Sequence, residues 1–494
     1  YSYLWISPTP DNIDELIEWA KRGGFRMVLF SYTSFTQGAG HLRWNSRYPG
    51  GMADLKKVTD AIRAAGLRVG LHLHYNKAHK SDPYVTPVPD DRLPTVRTFT
   101  LTGPVDEKAD TIAVHENPNG CTLDKGRRIL KAGKELIAYK AYTTKPPFRF
   151  TGCQRGHLKT TATAHQAGDE AKLLDVDTWP IFIRYDQDTD IQDETARRIA
   201  EIFEQTGPYD MVYFDGAEDI HAPHWYHYAG AQHRVFRHFH PEPAVAEAAA
   251  NGHFSWHMVS RSNAHDSVAP DGMKEFCRKA PCRSAPGRAL NFSRINFGWL
   301  HGFGRSARSY IGPDVLEYVL SRGAAWDCPF SMTISLAQLK NNPCTEDCFD
   351  VIKTWEDARI ENKLSDAQRK QLKNLDQEHH LFVNEQGKHE LVAIEEIPNV
   401  AGGAFKAYSF RRASHPDDTC VLIWAATDKT DLLLPVGAGK LTAMRPLGKR
   451  LSVKARDGKA VIPIDRRTYL VLAGTGPDRA REILRKAAAA KTAE

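Results

Sequence analysis

Short apolar runs alternate with amphipathic stretches over the first part of the chain. Residues 3–7 read as a strand, 11–21 as a helix opened by the polar Asp11-Asn12 pair, and 27–31 as a second strand. A helix over 54–65, closed by Gly66, leads into a third strand over 67–74. Strands alternating with helices at this spacing predict a parallel sheet with crossover helices. The pattern breaks over 81–175, where short runs such as 97–101, 111–115 and 135–142 are separated by Gly and Pro. These predict an inserted antiparallel β subdomain.

The alternation resumes with strands over 180–185 and 211–215 around a helix over 193–206. A sixth strand is expected over 254–260, a seventh over 295–297 and an eighth over 324–334. The fold class expected is α/β: a (β/α)₈ barrel from residues 1–80 and 176–385, with the β insertion following its third strand. A polar helical stretch over 350–379 precedes a change to period two. Seven short strands between 389 and 473 predict a C-terminal β-sandwich over 386–475, followed by a solvated terminal helix or tail over 476–494.

Composition narrows the function classes. The chain has 494 residues, 41% hydrophobic and 26% charged, which is ordinary globular usage. No run approaches the roughly 20 apolar residues of a membrane span. The net charge of +6 is small for this length, and no basic run with interleaved aromatics suggests a nucleic-acid groove. An anionic small partner such as a uronate or sulfated sugar stays open, and no oligomeric state follows from the sequence. Eight cysteines include two close pairs, Cys277 with Cys282 and Cys344 with Cys348, read here as short disulfide loops. With a start at Tyr1 rather than methionine, they suggest a secreted or periplasmic protein.

In a barrel the reacting groups sit at the C-terminal strand ends. Those ends gather Ser31, Tyr32, His72, His74, Tyr75, Asp186, Asp215, Glu218, His257, Arg261, Asn263 and Asp327, with Trp225 and Trp299 nearby. Carboxylates beside aromatics suit a sugar, which offers C–H faces for stacking and hydroxyls for hydrogen bonds. The stretch Tyr209-Asp210-Met211-Val212-Tyr213-Phe214-Asp215-Gly216 ends an apolar strand in an aspartate followed at once by glycine. It resembles the nucleophile strand of barrel glycoside hydrolases, including α-L-fucosidases and α-galactosidases. The chain lacks the His-His-Asp-Gly stretch of the fucosidases, so the resemblance is to the barrel hydrolases as a group. It implies that Asp215 acts as nucleophile or base, with Asp186, Asp327 or Glu218 as the second carboxyl group.

His72 and His74 alternate along the third strand and share one face, as substrate ligands with Tyr75. Trp225, His257, Arg261, Asn263 and Trp299 complete the expected substrate contacts. No cofactor or metal is expected. The acidic run Asp186–Asp190 fails the EF-hand pattern, with Ile191 where glycine is required and Arg197 at the closing glutamate position. The histidines at 221, 224 and 227 read as a sugar-binding loop, and Gly302-Phe303-Gly304 lacks a dinucleotide fingerprint. Two other classes compete: a polysaccharide lyase working through His, Tyr and Arg on uronates, and a non-catalytic carbohydrate-binding barrel.

Overall fold

The computed structural model describes the chain except residues 219, 253, 264–271, 291–292, 302–310, 385–386, 426–429, 447–448 and 492–494; the side chains of Asn263, Trp299, His301 and Lys491 are likewise outside the description. The Gly302–Gly304 stretch and Asp219 therefore lie outside the described residues. The chain falls into two compact units. One comprises Tyr1–Ile6, Leu16–Met27 and Asn263–Glu494; the other comprises Ser7–Glu15 and Val28–Ser262.

The parallel strands are β1 (Tyr3–Trp5), β2 (Met27–Ser31), β3 (Arg68–His74), β4 (Met211–Asp215), β5 (Val245–Ala248), β6 (Arg261–Asn263), β7 (Arg294–Asn296) and β8 (Ser331–Thr333). Their order in the sheet is β7-β6-β5-β4-β3-β2-β1-β8, with Trp299–His301 beside β8. Successive strands are neighbours and the last returns to the first, which is the strand order of a (β/α)₈ barrel. β2 is buried at all five positions, as expected of a strand covered on both faces.

Helix α1 (Ile13–Arg22) follows β1, and in the second unit helices α2 (Met52–Ala64) and α3 (Ile191–Thr206) cover the sheet. α2 buries Leu55, Val58 and Ile62, and α3 buries Ile191, Ile199, Ile202 and Phe203, so each presents an apolar stripe at helical spacing. Asp193 and Glu194 in the first turn of α3 complement its dipole.

Three expected strands are corrected. Residues 182–184 form a strand, Phe182–Arg184, but it pairs antiparallel with Lys77–His79 in a two-stranded ribbon outside the parallel sheet. Met211–Asp215 is thus the fourth parallel strand and pairs directly with β3. The stretch 254–260 is a turn, with Phe254 and Trp256 exposed. The strand there is the Ala-rich Val245–Ala248, which buries Ala246, Glu247 and Ala248. Residues 324–327 close the helix Pro313–Ala325, and β8 begins only at Ser331.

Between the ribbon strands lies the insertion, with antiparallel sheets of four and three strands. Its apolar cluster includes Phe99, Ile112, Leu130, Ile137 and Phe150.

In the first unit the C-terminal region forms two antiparallel sheets, of seven and four strands. The long strand His415–Ala425 explains their stacking. Val421 and Ile423 enter one cluster with Leu432, Leu434 and Ile462, whereas Cys420, Leu422 and Trp424 enter another with Phe382 and Tyr469. Alternate residues point to opposite faces, and both faces are covered. The region starts at Glu378, eight residues before the expected boundary. The expected solvated tail is a packed helix, Pro477–Arg485, burying Ala480, Ile483 and Leu484, and then a strand, Ala488–Lys491, on the smaller sheet.

All eight cysteines are free thiols. The Cys277 and Cys282 sulfurs lie 3.8 Å apart, against about 2.05 Å for a bond, and Cys344 and Cys348 are one turn apart at a helix start. The expected disulfide loops are absent, which removes that support for an oxidising compartment. No helix among the described residues is long and apolar enough to cross a membrane.

Candidate active site

The register of the parallel strands assembles the site. Gly70 to His74 of β3 pair in order with Met211 to Asp215 of β4, so His72 stands opposite Tyr213 and His74 opposite Asp215. Tyr213 pairs with Glu247 of β5, and Glu247 with Arg261 of β6. Directly paired residues share a face and residues two apart repeat it. His72, His74, Tyr213, Asp215, Glu247 and Arg261 therefore project from one side of the sheet.

Asp215 is the focus. Its Oδ2 accepts from His74 Nε2 at 2.8 Å and from His72 Nε2 at 3.1 Å, and its Oδ1 accepts the Gly216 amide at 3.0 Å. Since a carboxylate only accepts, both imidazoles carry their proton on Nε2. Their Nδ1 atoms then accept from Ser31 Oγ and Tyr32 Oη, each at 3.0 Å. A chain of hydroxyl, imidazole and carboxylate runs in from either side, with donors and acceptors matched throughout.

Burial works against ionisation of Asp215, but the two imidazole hydrogen bonds outweigh it and hold its carboxyl well below the usual range. Burial likewise pushes His74 below its ordinary pKa and Tyr32 far above its own. The cluster at neutral pH holds an ionised carboxylate beside a neutral His74 ring. The Asp215 side chain keeps 20% exposure, whereas those of His72 and His74 keep 5% and 4%. A ligand therefore meets the carboxylate rather than the imidazoles.

The chain leaves β4 through two positive φ angles, Gly216 at 86° and Ala217 at 72°. A Cβ at Gly216 would lie 2.9 Å from Lys77 Nζ. Lys77 is fixed there by a buried ion pair to Asp177 at 2.6 Å. Trp179 follows two residues later; its ring is 5.8 Å from His74 and perpendicular to it, and it remains 55% exposed. A half-open indole beside His74 offers a stacking surface.

The remaining expected residues are placed as follows. Glu218 is exposed in the loop that leaves β4. Asp186 belongs to the turn that opens α3, where its Oδ1 accepts the Asp188 amide at 2.9 Å. Asp327 is corrected: it precedes β8, at the opposite strand end, and pairs with Arg359 at 3.1 Å and Arg294 at 3.9 Å. Tyr75 is fully buried against Phe214. Arg261 pairs with Glu247 at 3.3 Å, both buried. Trp225 sits in the first turn of α4 (His224–Phe236), half-exposed and stacked on Phe254. His257 lies in the turn after β5, 6.2 Å from the His233 ring. The side chains of Asn263 and Trp299 are outside the described residues.

Sequence reasoning passed over Glu247, the Lys77–Asp177 pair and Trp179. Only Trp179 had a readable signal, an aromatic just ahead of an apolar strand. His72, His74 and Asp215 have their ligand atoms close enough to hold a metal ion, as do Asp188, His221 and His227. In the first cluster the hydrogen bonds are complete without one.

No protein-family model matches the sequence, and no curated protein does. Among solved structures, an alpha-amylase from Anoxybacillus aligns over 96% of this chain and 98% of its own, at 12% identity and a TM-score of 0.39. Eubacterium rectale Amy13B aligns over 96% of each chain at 8% identity and 0.43. A GH36 alpha-galactosidase, AgaA from Geobacillus stearothermophilus, aligns over 96% of this chain and 55% of its own at 8% and 0.41. Similarity at this level assigns no activity.

Proposed function

We propose that this chain hydrolyses glycosidic bonds, with Asp215 as the attacking carboxylate. The observation that carries the reading is the ionised Asp215, held at a strand end by two imidazole N–H groups, with the open Trp179 ring against His74. Attack by Asp215 on the anomeric carbon forms a carbon–oxygen bond as the glycosidic bond breaks, and a carboxylic acid protonates the departing oxygen. Water then hydrolyses the glycosyl ester and returns Asp215 as carboxylate. The imidazole N–H groups hold Oδ2, which fixes the geometry of attack.

Glu218, three residues along the same loop, is the proposed acid, and Asp186 the alternative. Asp327 drops out because it lies at the wrong strand end and is held by two arginines. Arg261, expected to recognise a uronate or sulfate, is committed to Glu247. The proposed substrate is therefore a neutral oligo- or polysaccharide.

The test is incubation with neutral, uronate and sulfated glycans, following reducing ends and ultraviolet absorbance together. New reducing ends from neutral glycans, without absorbance and abolished in Asp215→Asn, are expected. A conjugated product would mean elimination and overturn the proposal; so would turnover indifferent to Asp215.

A further inference from the structure

Two stretches that carry no metal signature separately are brought together by the fold. The acidic run after Phe182–Arg184 makes the turn that opens α3, and His221 and His227 bracket the start of α4. The ligand atoms of Asp188, His221 and His227 lie within 4.8 Å of one another. We propose that these three residues bind one borderline divalent cation, Zn(II) by preference, tying the loop that leaves β4 to the turn that opens α3.

The hydrogen bonds dictate the argument. His227 Nδ1 lies 2.9 Å from the His221 carbonyl oxygen, which only accepts, so Nδ1 carries the proton. In the neutral ring Nε2 is then a bare lone pair, and it lies 4.0 Å from Asp188 Oδ1. His221 Nε2 accepts the Gln187 amide at 3.2 Å, so it too is unprotonated, and the two rings are 4.1 Å apart between centroids. His227 Nε2 and Asp188 Oδ1 face each other as two acceptors, a pairing that a cation relieves, and an ion at His221 Nε2 would take the place of the Gln187 amide. Two imidazole nitrogens and one carboxylate suit zinc, whereas calcium and magnesium take oxygen.

The frame is already set. Arg234 of α4 donates to the Thr189 and Gln187 carbonyls, each at 2.9 Å, so the turn is held against the helix without an ion. The His227 side chain is only 8% exposed and forms a fixed wall, while Asp188, at 80%, is free to close. The ligand atoms need to approach to about 3.4 Å apart around an ion at about 2.1 Å, which requires Asp188 and the His221 ring both to move toward His227. His221 lies six residues beyond Asp215, so the ion would steady the loop that also carries Glu218.

The inference stands apart from the hydrolase reading, because its readout is binding. The full chain, stripped with EDTA, is titrated with zinc chloride by calorimetry at neutral pH, and melting is followed in parallel. One strong site is expected, with a rise in Tm on zinc addition. Asp188→Asn and His227→Gln are each expected to weaken it by about tenfold or more. Asp215→Asn is expected to retain it, and excess magnesium or calcium is expected not to displace the zinc. Asp188 is exposed, so its variant keeps the fold and decides the matter should His227→Gln not fold. Binding no tighter than millimolar, affinity unchanged in Asp188→Asn, or a strong site lost only in Asp215→Asn would each overturn the proposal.

Discussion

Replacing Asp215 by asparagine separates the chemistry of the carboxylate from its structural part. Both imidazoles donate to one oxygen, Oδ2. The amide oxygen of asparagine takes that position and keeps both bonds, while its NH₂ group replaces Oδ1 and loses the Gly216 amide. Two charge-assisted bonds of about 1.5–3 kcal/mol become neutral ones of about 0.5–1.5 kcal/mol. Relief from burying a charge offsets part of this. The net loss of stability is expected at about 1–3 kcal/mol, small enough for the variant to fold. Removing a nucleophile costs far more in rate, on the order of 10⁴ to 10⁶ in kcat/KM, or about 5–8 kcal/mol at 1.36 kcal/mol per decade. The assay pairs urea unfolding with kcat/KM on an aryl glycoside that the wild-type protein hydrolyses, and adds azide as an external nucleophile. Azide is expected to restore turnover by yielding a glycosyl azide. Near-wild-type kcat/KM in a folded variant would refute the reasoning, because no attacking carboxylate is dispensable to that degree.

Three further outcomes are expected. The folded pKa of Asp215 lies below its unfolded value of about 3.9, so its contribution to stability is present above that value and is lost as pH falls through the folded pKa; unfolding free energy measured from pH 6 to 2 is expected to fall more steeply in wild type than in Asp215→Asn, and parallel curves would contradict the assignment. Gly216→Ala forces a left-handed residue against Lys77 Nζ and is expected to cost about 1–2 kcal/mol or more by denaturant melting, with a drop in kcat as Asp215 shifts; an unchanged Cm would count against the tight turn. Trp179→Ala removes the exposed ring beside His74 and is expected to raise KM about tenfold with little change in Tm, measured by steady-state kinetics and thermal melting.

How far these features could be read in advance depended on distance along the chain. β2 and β4 were visible because covered parallel strands are near-continuous apolar runs, and β3 because its alternation of Leu71 and Leu73 with His72 and His74 already placed both rings on one face. Asp215 was marked by the glycine behind it. β5 escaped because Val245-Ala246-Glu247-Ala248 has one β-branched residue and the composition of a helix; its strand character comes from pairing on both sides. The aromatic run at 254–260 failed the other way, since its rings face outward in a turn. At 324–334 an apolar helix end and a short strand merge into one hydrophobic stretch, which moved Asp327 to the wrong end of β8. The partners of Lys77 and Asp188 are set by topology, about 100 and 33–39 residues away, where local pattern has no reach.

The ribbon of Lys77–His79 with Phe182–Arg184 has a consequence for the architecture as a module. Three consecutive residue pairs close the base of the insertion, so its two ends leave the sheet side by side. For the parallel strands the excursion between β3 and β4 behaves as a short stapled bridge, because closure entropy grows only slowly with whatever lies beyond the staple. The residues above the ribbon, apart from Asp177 and Trp179, can thus lengthen, shorten or be exchanged while the register of His74 with Asp215 is kept. The same ribbon carries Lys77, which pins the turn behind the carboxylate, so the graft point and the site share a foundation. Replacing the outer sheets of the insertion while keeping Asp177 and Trp179 beside the ribbon would give a smaller chain that retains the ion pair behind the carboxylate.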